Sequence, residues 1–165
     1  ASFIIAMGVL MLFQRVGAFI LIMAASVLDG LLIQFLKKVV FADAVRPKLW
    51  FADEGITIQQ VLDVSLNSYN AMPSGHTAAA FTVFTCLGIV SRNTTAQAVF
   101  FLLAILVGIS RMYLAQHFYE DVYFGALVGM GVALGVQTLL VRQGWWDKPW
   151  AQQPVQKLLM RGEGR

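Results

Sequence analysis

Five apolar segments, three of them close to 20 residues long, alternate with charged segments along this chain. About 20 helical residues are needed to cross the hydrocarbon core of a bilayer, so the pattern leaves few folds open. A soluble domain of 165 residues needs a polar shell, but 58% of these residues are hydrophobic and only 13% are charged. We therefore predict an all-α protein, a polytopic bundle of transmembrane helices. The segments are residues 3–13, 16–36, 77–90, 96–114 and 122–141.

The segments divide the chain into a membrane-embedded domain, residues 1–141, and a polar tail, residues 142–165. A loop at about 41–73 carries several charges and cannot cross a bilayer. Apolar side chains recur in this loop at helical spacing, which predicts either an amphipathic helix on the membrane surface or a loop helix packed on the bundle. They are Ile58, Val61, Leu62 and Ser65 or Leu66. The first segment, 3–13, is shorter than a span, and we expect it to be a trimmed helix.

Charge asymmetry between the two sides predicts the orientation. Alternation of the spans places seven cations on the side of the tail, namely Arg15, Arg92, Arg142, Lys148, Lys157, Arg161 and Arg165. The other side has five, namely Lys37, Lys38, Arg46, Lys48 and Arg111. Because cytoplasmic loops are enriched in lysine and arginine, we predict a cytoplasmic tail and an external 41–73 loop. The basic residues form no run with interleaved aromatic residues, so nucleic acid is not an expected partner.

Three polar clusters fall on the predicted external side. They are Lys37-Lys38 with Arg46-Pro47, then Pro73-Ser74-Gly75-His76, and then Ser110-Arg111 with His117 and Asp121. One lysine and the two arginines would place three fixed cations at one point of the membrane face. Guanidinium groups match tetrahedral oxyanions through paired hydrogen bonds, so the expected guest is a phosphate group.

The second cluster adds backbone donors to these cations. Ser74 and Gly75 immediately precede a predicted helix, where free N–H groups and the helix dipole favour an anion. Gly75 has no Cβ, so the backbone can approach the guest closely. Together these groups would stabilise the charge on a phosphoryl group in transfer.

The two histidines and one carboxylate supply the remaining chemistry. His117 and Asp121 are four residues apart and would share a face if the helix has begun there. A carboxylate that holds one imidazole nitrogen leaves the other free to attack, and His76 can protonate the leaving alkoxide. Phosphoryl transfer by these groups needs no metal and no cofactor, and the sequence has no Cys/His spacing typical of a metal site.

Each of these residues also has a simpler interpretation. A single histidine at a helix end is usually an interfacial polar residue, and Pro-Ser-Gly often only starts a helix. A lysine pair after an apolar run often anchors the span to headgroups. However, charges near a span, such as Arg111 and Asp121, are costly and tend to be functional. The occurrence of all three clusters on one side favours a shared site.

At these residues the chain resembles the type 2 phosphatidic acid phosphatase superfamily, which includes vanadium haloperoxidases. The second and third family motifs match in full, as Pro73-Ser74-Gly75-His76 and as Ser110-Arg111, five residues, His117, three residues and Asp121. The first motif departs, because the family places six residues between its lysine and Arg-Pro. Here Val39 stands at that spacing, whereas seven residues separate Lys38 from Arg46 and eight separate Lys37 from it. Spacing alone favours Lys38, with the extra residues absorbed as a bulge.

The resemblance implies a membrane lipid phosphatase of six helices, of which this chain would lack the first. His117 would be phosphorylated, Asp121 would orient it and His76 would protonate the leaving group. Phosphate would be bound by Lys38 or Lys37, Arg46, Ser74, Gly75 and Arg111. Expected substrates are phosphatidate, phosphatidylglycerophosphate, undecaprenyl diphosphate or lipid A phosphates, at the external face of a bacterial inner membrane. The alternatives are a non-catalytic anion-binding or transport protein and, given the family, a vanadate-dependent haloperoxidase.

Overall fold

The structure, a computed structural model, describes residues 15–56 and 68–155 of the chain. Its helices are α1 (Val16–Phe35), α2 (Pro47–Asp53), α3 (Gly75–Ser91), α4 (Thr94–Tyr113) and α5 (Tyr119–Arg142), with a π-helical turn at Leu36–Val40 and a 3₁₀ turn at Trp145–Asp147. The described residues are thus those of an all-α protein, as predicted. The predicted segment 3–13 and the predicted surface helix between Ile58 and Leu66 lie outside the described residues.

Three of the helical segments are long and apolar enough to cross a membrane, namely Val16–Val40, Thr94–Tyr113 and Tyr119–Arg142. The helix α3 has 17 residues, which corresponds to a length of about 25 Å and is slightly less than the hydrocarbon core. It lies in the middle of the bundle and packs against α1, α4 and α5. The protein is therefore an integral membrane protein, and among the residues that the structure describes the shortest apolar helix is the central one.

Close backbone contact between α3 and α5 sets the geometry of the bundle. A Cβ added to Gly125 would lie 2.6 Å from the carbonyl oxygen of Ser74, and one added to Gly129 would collide with the backbone of Ala78. Only glycine permits such an approach of two helices. Gly131 and Gly135 of the same helix make no such contact, since a Cβ added to either would meet nothing within 4 Å in the described part of the protein. They lie on the outer face of α5.

Below the polar end, a continuous apolar core joins α1, α3 and α5. It is formed by Leu21, Ile22, Ala25, Cys86, Val132, Ala133, Val136 and Leu140, and all of these side chains are buried. The helix α4 contributes little to it, since most of its side chains are exposed and face outward from the bundle. In a water-soluble domain such an exposed apolar face would promote aggregation, but in a bilayer it contacts lipid.

The first part of the predicted tail folds back onto the start of α1. The amides of Val16 and Gly17 donate to the carbonyl oxygens of Gln153 and Ala151, at 2.9 Å each. The first N–H groups of a helix have no partner within the helix, so these contacts satisfy two of them. Residues 145–154 are thereby fixed against the end of the bundle that is opposite to the three polar clusters.

Candidate active site

The three predicted clusters meet at one end of the bundle. The chain reaches this end as α1 finishes, as α3 starts, as α4 finishes and as α5 starts. A cavity of about 590 Å³ opens there. Residues from the first two clusters line it, namely Lys37, Lys38, Arg46, Gly75 and His76, together with Asn70 from the loop. The third cluster is connected to this cavity through the contacts of Arg46 described below.

The π-helical turn at Leu36–Val40 places the lysines. The amide of Phe41 donates to the carbonyl of Leu36 at 2.8 Å, a bond over five residues that inserts an extra residue into the helix. Lys37 is half-buried, and its Nζ donates to the carbonyl oxygen of Asn70 at 2.8 Å. Lys38 also lines the cavity, but its side chain is exposed. A turn of this kind accounts for an irregular spacing between lysine and Arg-Pro.

Arg46 lies between the lysine and the third cluster. Its guanidinium donates to the carbonyl oxygens of Tyr69 at 3.0 Å, Asn70 at 3.3 Å and Gln116 at 3.2 Å. Pro47 follows as the first residue of α2, where its fixed φ suits a helix start. Carbonyl groups orient the guanidinium but do not neutralise it. Its charge is therefore available for an anion.

The start of α3 faces the same space. Ser74 is fully buried, and its amide donates to the carbonyl of Asp121 at 2.9 Å, which ties the second cluster to the third. The hydroxyl of Thr77 donates to Ser74 Oγ at 2.9 Å, so the proton of Ser74 is left to donate elsewhere. A Cβ on Gly75 would lie 3.9 Å from Lys37 Cε, so the start of the helix lies beside the lysine side chain.

A tight turn after α4 positions the third cluster. The amide of Gln116 donates to the carbonyl of Arg111, and that of Ala115 donates to Met112, the two bonds of a Schellman motif. Ala115 occupies the left-handed region with φ 51°, a position that glycine usually fills. Arg111, in the last turn of α4, donates to Gln116 Oε1 at 3.3 Å. Gln116 therefore contacts both arginines, one through its carbonyl and one through its side chain.

His117 and Asp121 form a buried pair, with only 4% and 5% of their surfaces exposed. His117 Nδ1 lies 3.3 Å from Asp121 Oδ2. The helix begins at Tyr119, so His117 precedes it, and the two side chains do not stack along a helix face. They meet because Asp121, in the first turn, reaches back and also accepts from the amide of Phe118 at 2.9 Å. With Nδ1 held, Nε2 is the nitrogen left for chemistry.

The environment of His117 favours its neutral form. Burial lowers the pKa of His117, and the charges of Arg46 and Lys37 lower it further. The hydrogen bond and the charge of Asp121 act in the opposite direction, but the pKa remains below its usual value. A neutral imidazole has a free lone pair, so His117 is prepared for nucleophilic attack near neutral pH.

His76 is the exposed member of the histidine pair, at the polar end of α3. Partial burial lowers the pKa of His76, and so do the charges of Arg111, His117, Lys37 and Arg46. The cations Arg111, Lys37 and Arg46 belong to the first and third clusters, so charges of both these clusters act on a ring of the second.

Two residues that hold the site together were not among those predicted. Asn70 accepts hydrogen bonds from both Lys37 and Arg46, and Gln116 contacts Arg46 and Arg111. Asn70 adopts a left-handed conformation with φ 57°, which asparagine tolerates well and which turns its carbonyl toward the cations. Much of this contact runs through backbone carbonyls, which every residue type has. Side-chain patterns alone therefore give no signal for it.

Comparison with known proteins identifies the family of the chain and solved structures with a similar fold. The sequence profile of the PAP2 superfamily matches residues 15–145. The crystal structure of Aquifex aeolicus LpxE is similar, with a TM-score of 0.67, 26% identity and coverage of 84% of this chain and 78% of that one. The first transmembrane PAP2 type phosphatidylglycerolphosphate phosphatase from Bacillus subtilis has a similar fold, with a TM-score of 0.66, 24% identity and coverage of 86% and 71%. No curated protein shows a significant sequence match.

Proposed function

Because the chain belongs to the PAP2 superfamily, we propose that it is a membrane phosphatase that hydrolyses a lipid phosphate or diphosphate monoester through a phosphohistidine. The observation that carries this proposal is the buried His117–Asp121 pair beside a cluster of cations. Within the residues that the structure describes, this is the only pair at ion-pair distance. Among the described residues, these cations are at ion-pair distance from no carboxylate, so an anionic guest completes their charge balance.

In the proposed reaction, the phosphate of the substrate occupies the space between the cations and the start of α3. Its oxygens are bound by Lys37, Arg46 and Arg111, by the hydroxyl of Ser74 and by the amide of Gly75. These donors are already oriented by the contacts described above. They therefore stabilise the charge that develops on the equatorial oxygens without a large reorganisation.

The chemical step transfers the phosphoryl group to His117. Nε2 attacks phosphorus, the bond from phosphorus to the lipid oxygen breaks, and His76 gives its proton to the departing alkoxide. Asp121 stabilises the positive charge that appears on the imidazole ring. Water then attacks the phosphohistidine, His76 takes up a proton from that water, and inorganic phosphate leaves. We propose that no metal takes part.

We propose Lys37 rather than Lys38 as the lysine that binds phosphate, against the preference from spacing alone. The Lys37 ammonium is already bound to the same carbonyl of Asn70 as Arg46, and its side chain lies beside Gly75. Lys38 is exposed and has no such contact in the described part of the chain. The π-helical turn contains both lysines, so these contacts and not the turn favour Lys37.

The location of the site supports a lipid substrate. The cavity opens at the ends of the apolar helices, where a lipid that stays in the membrane can present its headgroup phosphate. Phosphatidate, phosphatidylglycerophosphate, undecaprenyl diphosphate and lipid A phosphates all have this form. We place the site on the external face of a bacterial inner membrane and the tail in the cytoplasm, in accordance with the distribution of cations.

The test is phosphate release by the purified full chain in detergent, with a panel of these lipids. Replacement of the nucleophile in His117→Ala should lower kcat by at least ~10⁴-fold. Rapid acid and alkaline quenching of the wild-type enzyme with ³²P-labelled lipid should show a phosphoprotein that is stable to base and labile to acid. Turnover should persist in EDTA.

The control is Arg92→Ala, which removes a cation at the other end of the bundle and should leave turnover unchanged. Undiminished turnover in His117→Ala would overturn the mechanism. Phosphate binding without release from any lipid would favour a non-catalytic anion-binding protein. Halide oxidation with vanadate and peroxide would favour a haloperoxidase.

A further inference from the structure

A carboxyl group lies inside the bundle, in a place that the proposed reaction does not use. Asp29 belongs to the apolar segment Val16–Val40 and is only 3% exposed. Its Oδ1 is buried and has no hydrogen-bond partner among residues 15–56 and 68–155. A carboxyl group without a partner is costly in a low-dielectric interior, and acidic residues within membrane segments tend to serve a function.

A threonine hydroxyl lies within reach of this carboxyl but donates its proton elsewhere. Thr82 of α3 lies beside Asp29, but its hydroxyl donates to the carbonyl of Gly129 at 3.1 Å. A hydroxyl has one proton, so Thr82 cannot donate to both groups at once. Asp29 therefore retains unused capacity to accept a hydrogen bond.

Asp29 lines the same cavity as the proposed phosphate-binding residues. The cavity continues from Lys37 and Gly75 along α1, past Gln34 and Gly30, to Asp29 and Ser26. Between Gly75 and Thr82, the neighbour of Asp29, there are two turns of α3, or roughly 10 Å along the helix axis. The χ2 torsion of an aspartate side chain has a broad range of allowed angles, so either carboxyl oxygen of Asp29 can be turned toward the cavity. The carboxyl thus lies below the phosphate site, at the depth of the part of the lipid that follows its phosphate.

We propose that Asp29 determines which lipids the enzyme prefers, by accepting a hydrogen bond from a hydroxyl or amide N–H that lies below the phosphate group. The inference rests on the proposed function. A carboxyl group can accept such a bond whether or not it is ionised. Lipids with an amide or a hydroxyl near the phosphate supply the donor. Diacylglycerol phosphates supply only ester acceptors at this depth, and polyprenyl phosphates supply only hydrocarbon.

The experiment compares a lipid that has hydrogen-bond donors below its phosphate group with a lipid that has none. Ceramide 1-phosphate has an amide and a hydroxyl near its phosphate, whereas phosphatidate of matched chain length has two esters. The ratio of their kcat/KM values is measured in mixed micelles for the wild type and for Asp29→Leu and Asp29→Asn. We expect the wild type to favour ceramide 1-phosphate, and Asp29→Leu to reduce the ratio about tenfold, the effect of losing one buried hydrogen bond. Asp29→Asn keeps an acceptor and should retain part of the preference.

The matched control is Gln137→Leu, which replaces another partly buried polar side chain of a membrane helix, outside this cavity. It should leave the ratio unchanged. Equal kcat/KM values for the two lipids in the wild type would overturn the inference, while the proposed function would stand. An equal loss on both lipids in Asp29→Leu would also overturn it, because that result indicates a purely structural role. No phosphate release from either lipid would overturn the inference, whereas the proposed function would be rejected only if every lipid of the panel above also failed to release phosphate.

Discussion

The two ends of the bundle have cavities of similar size, about 590 Å³ at the candidate active site and about 660 Å³ at the end where the tail packs. Both are lined by cations. At the tail end these are Arg15 and Arg92, in the company of Asp147, Gln137 and Trp146. Volume and positive charge therefore do not distinguish the two ends.

The difference lies in how the cations are held and in what accompanies them. Arg15 donates to Gln152 at 2.8 Å at an exposed position. At the active-site end, Arg46 is held by three backbone carbonyls, and both histidines of the chain lie nearby. Each cavity also has one carboxyl group in its lining, Asp147 at the tail end and Asp29 at the active-site end. The comparison teaches that an anion site is recognised by cations that backbone carbonyls orient, next to groups that can transfer a proton or attack.

Removing one of the two adjacent lysines at the active-site end should have the largest effect. We expect Lys37→Ala to lower kcat/KM for a lipid phosphate by about 10²-fold, since it removes an oriented donor to the phosphate. Lys38→Ala should change kcat/KM less than about threefold, because the charge of Lys38 is exposed to solvent and is therefore well screened. Steady-state phosphate release measures both variants. If both variants lost kcat/KM equally, only the spacing of the motif, which favours Lys38, would remain as a basis for choosing between the lysines.

A packing change at the active-site end should have a smaller effect. Gly125→Ala forces a Cβ against the carbonyl of Ser74, which must move together with the start of α3. We expect a loss of about 1–3 kcal/mol in the free energy of unfolding, as for other overpacked sites, together with lower activity. Thermal unfolding in detergent and phosphate release measure the two effects.

The matched control for this change is Gly131→Ala, in the same helix. A Cβ there meets nothing within 4 Å in the described part of the molecule. It should leave both unfolding and turnover unchanged. If the two variants behaved alike, close contact between α3 and α5 would not be what positions Ser74.

The smallest expected effect is a shift in the titration of His76. Its pKa is lowered by burial and by the charges of the neighbouring cations, so its titration midpoint should lie below 6.5 in the free protein. A bound dianion neutralises those cations, and the pKa should then rise. By linkage, an anion should bind more tightly as the pH falls through this raised pKa. NMR titration of the histidines with and without sulfate, which remains a dianion in this range, measures the shift.

Because the chain has two histidines, His117→Gln assigns the signal of His76. A midpoint that sulfate leaves unchanged would show that the anion binds away from the histidines. In that case the cavity at Arg15 and Arg92 would be the stronger anion site, and the comparison between the two ends would be reversed.

Much of the fold could be predicted because membrane spans depend on the length and apolarity of a segment. The prediction of 16–36 corresponds to α1, and those of 96–114 and 122–141 correspond to α4 and α5, each within a few residues. The short helix α2 was not predicted, because seven residues inside a polar loop give no clear periodicity. The π-helical turn could be anticipated only as a bulge between a lysine and Arg46.

The sequence by itself determined that the protein is a membrane-embedded helical bundle, and it placed the side chains capable of phosphoryl transfer at the ends of its helices. Those properties depend on residue types and short spacings, which can be read along the chain. Only the tertiary structure decided that Lys37 contacts Asn70, that Gln116 joins the two arginines and that Asp29 lines the cavity below them. These contacts join residues far apart in sequence, and several run through backbone carbonyls. They exist only once the helices have packed.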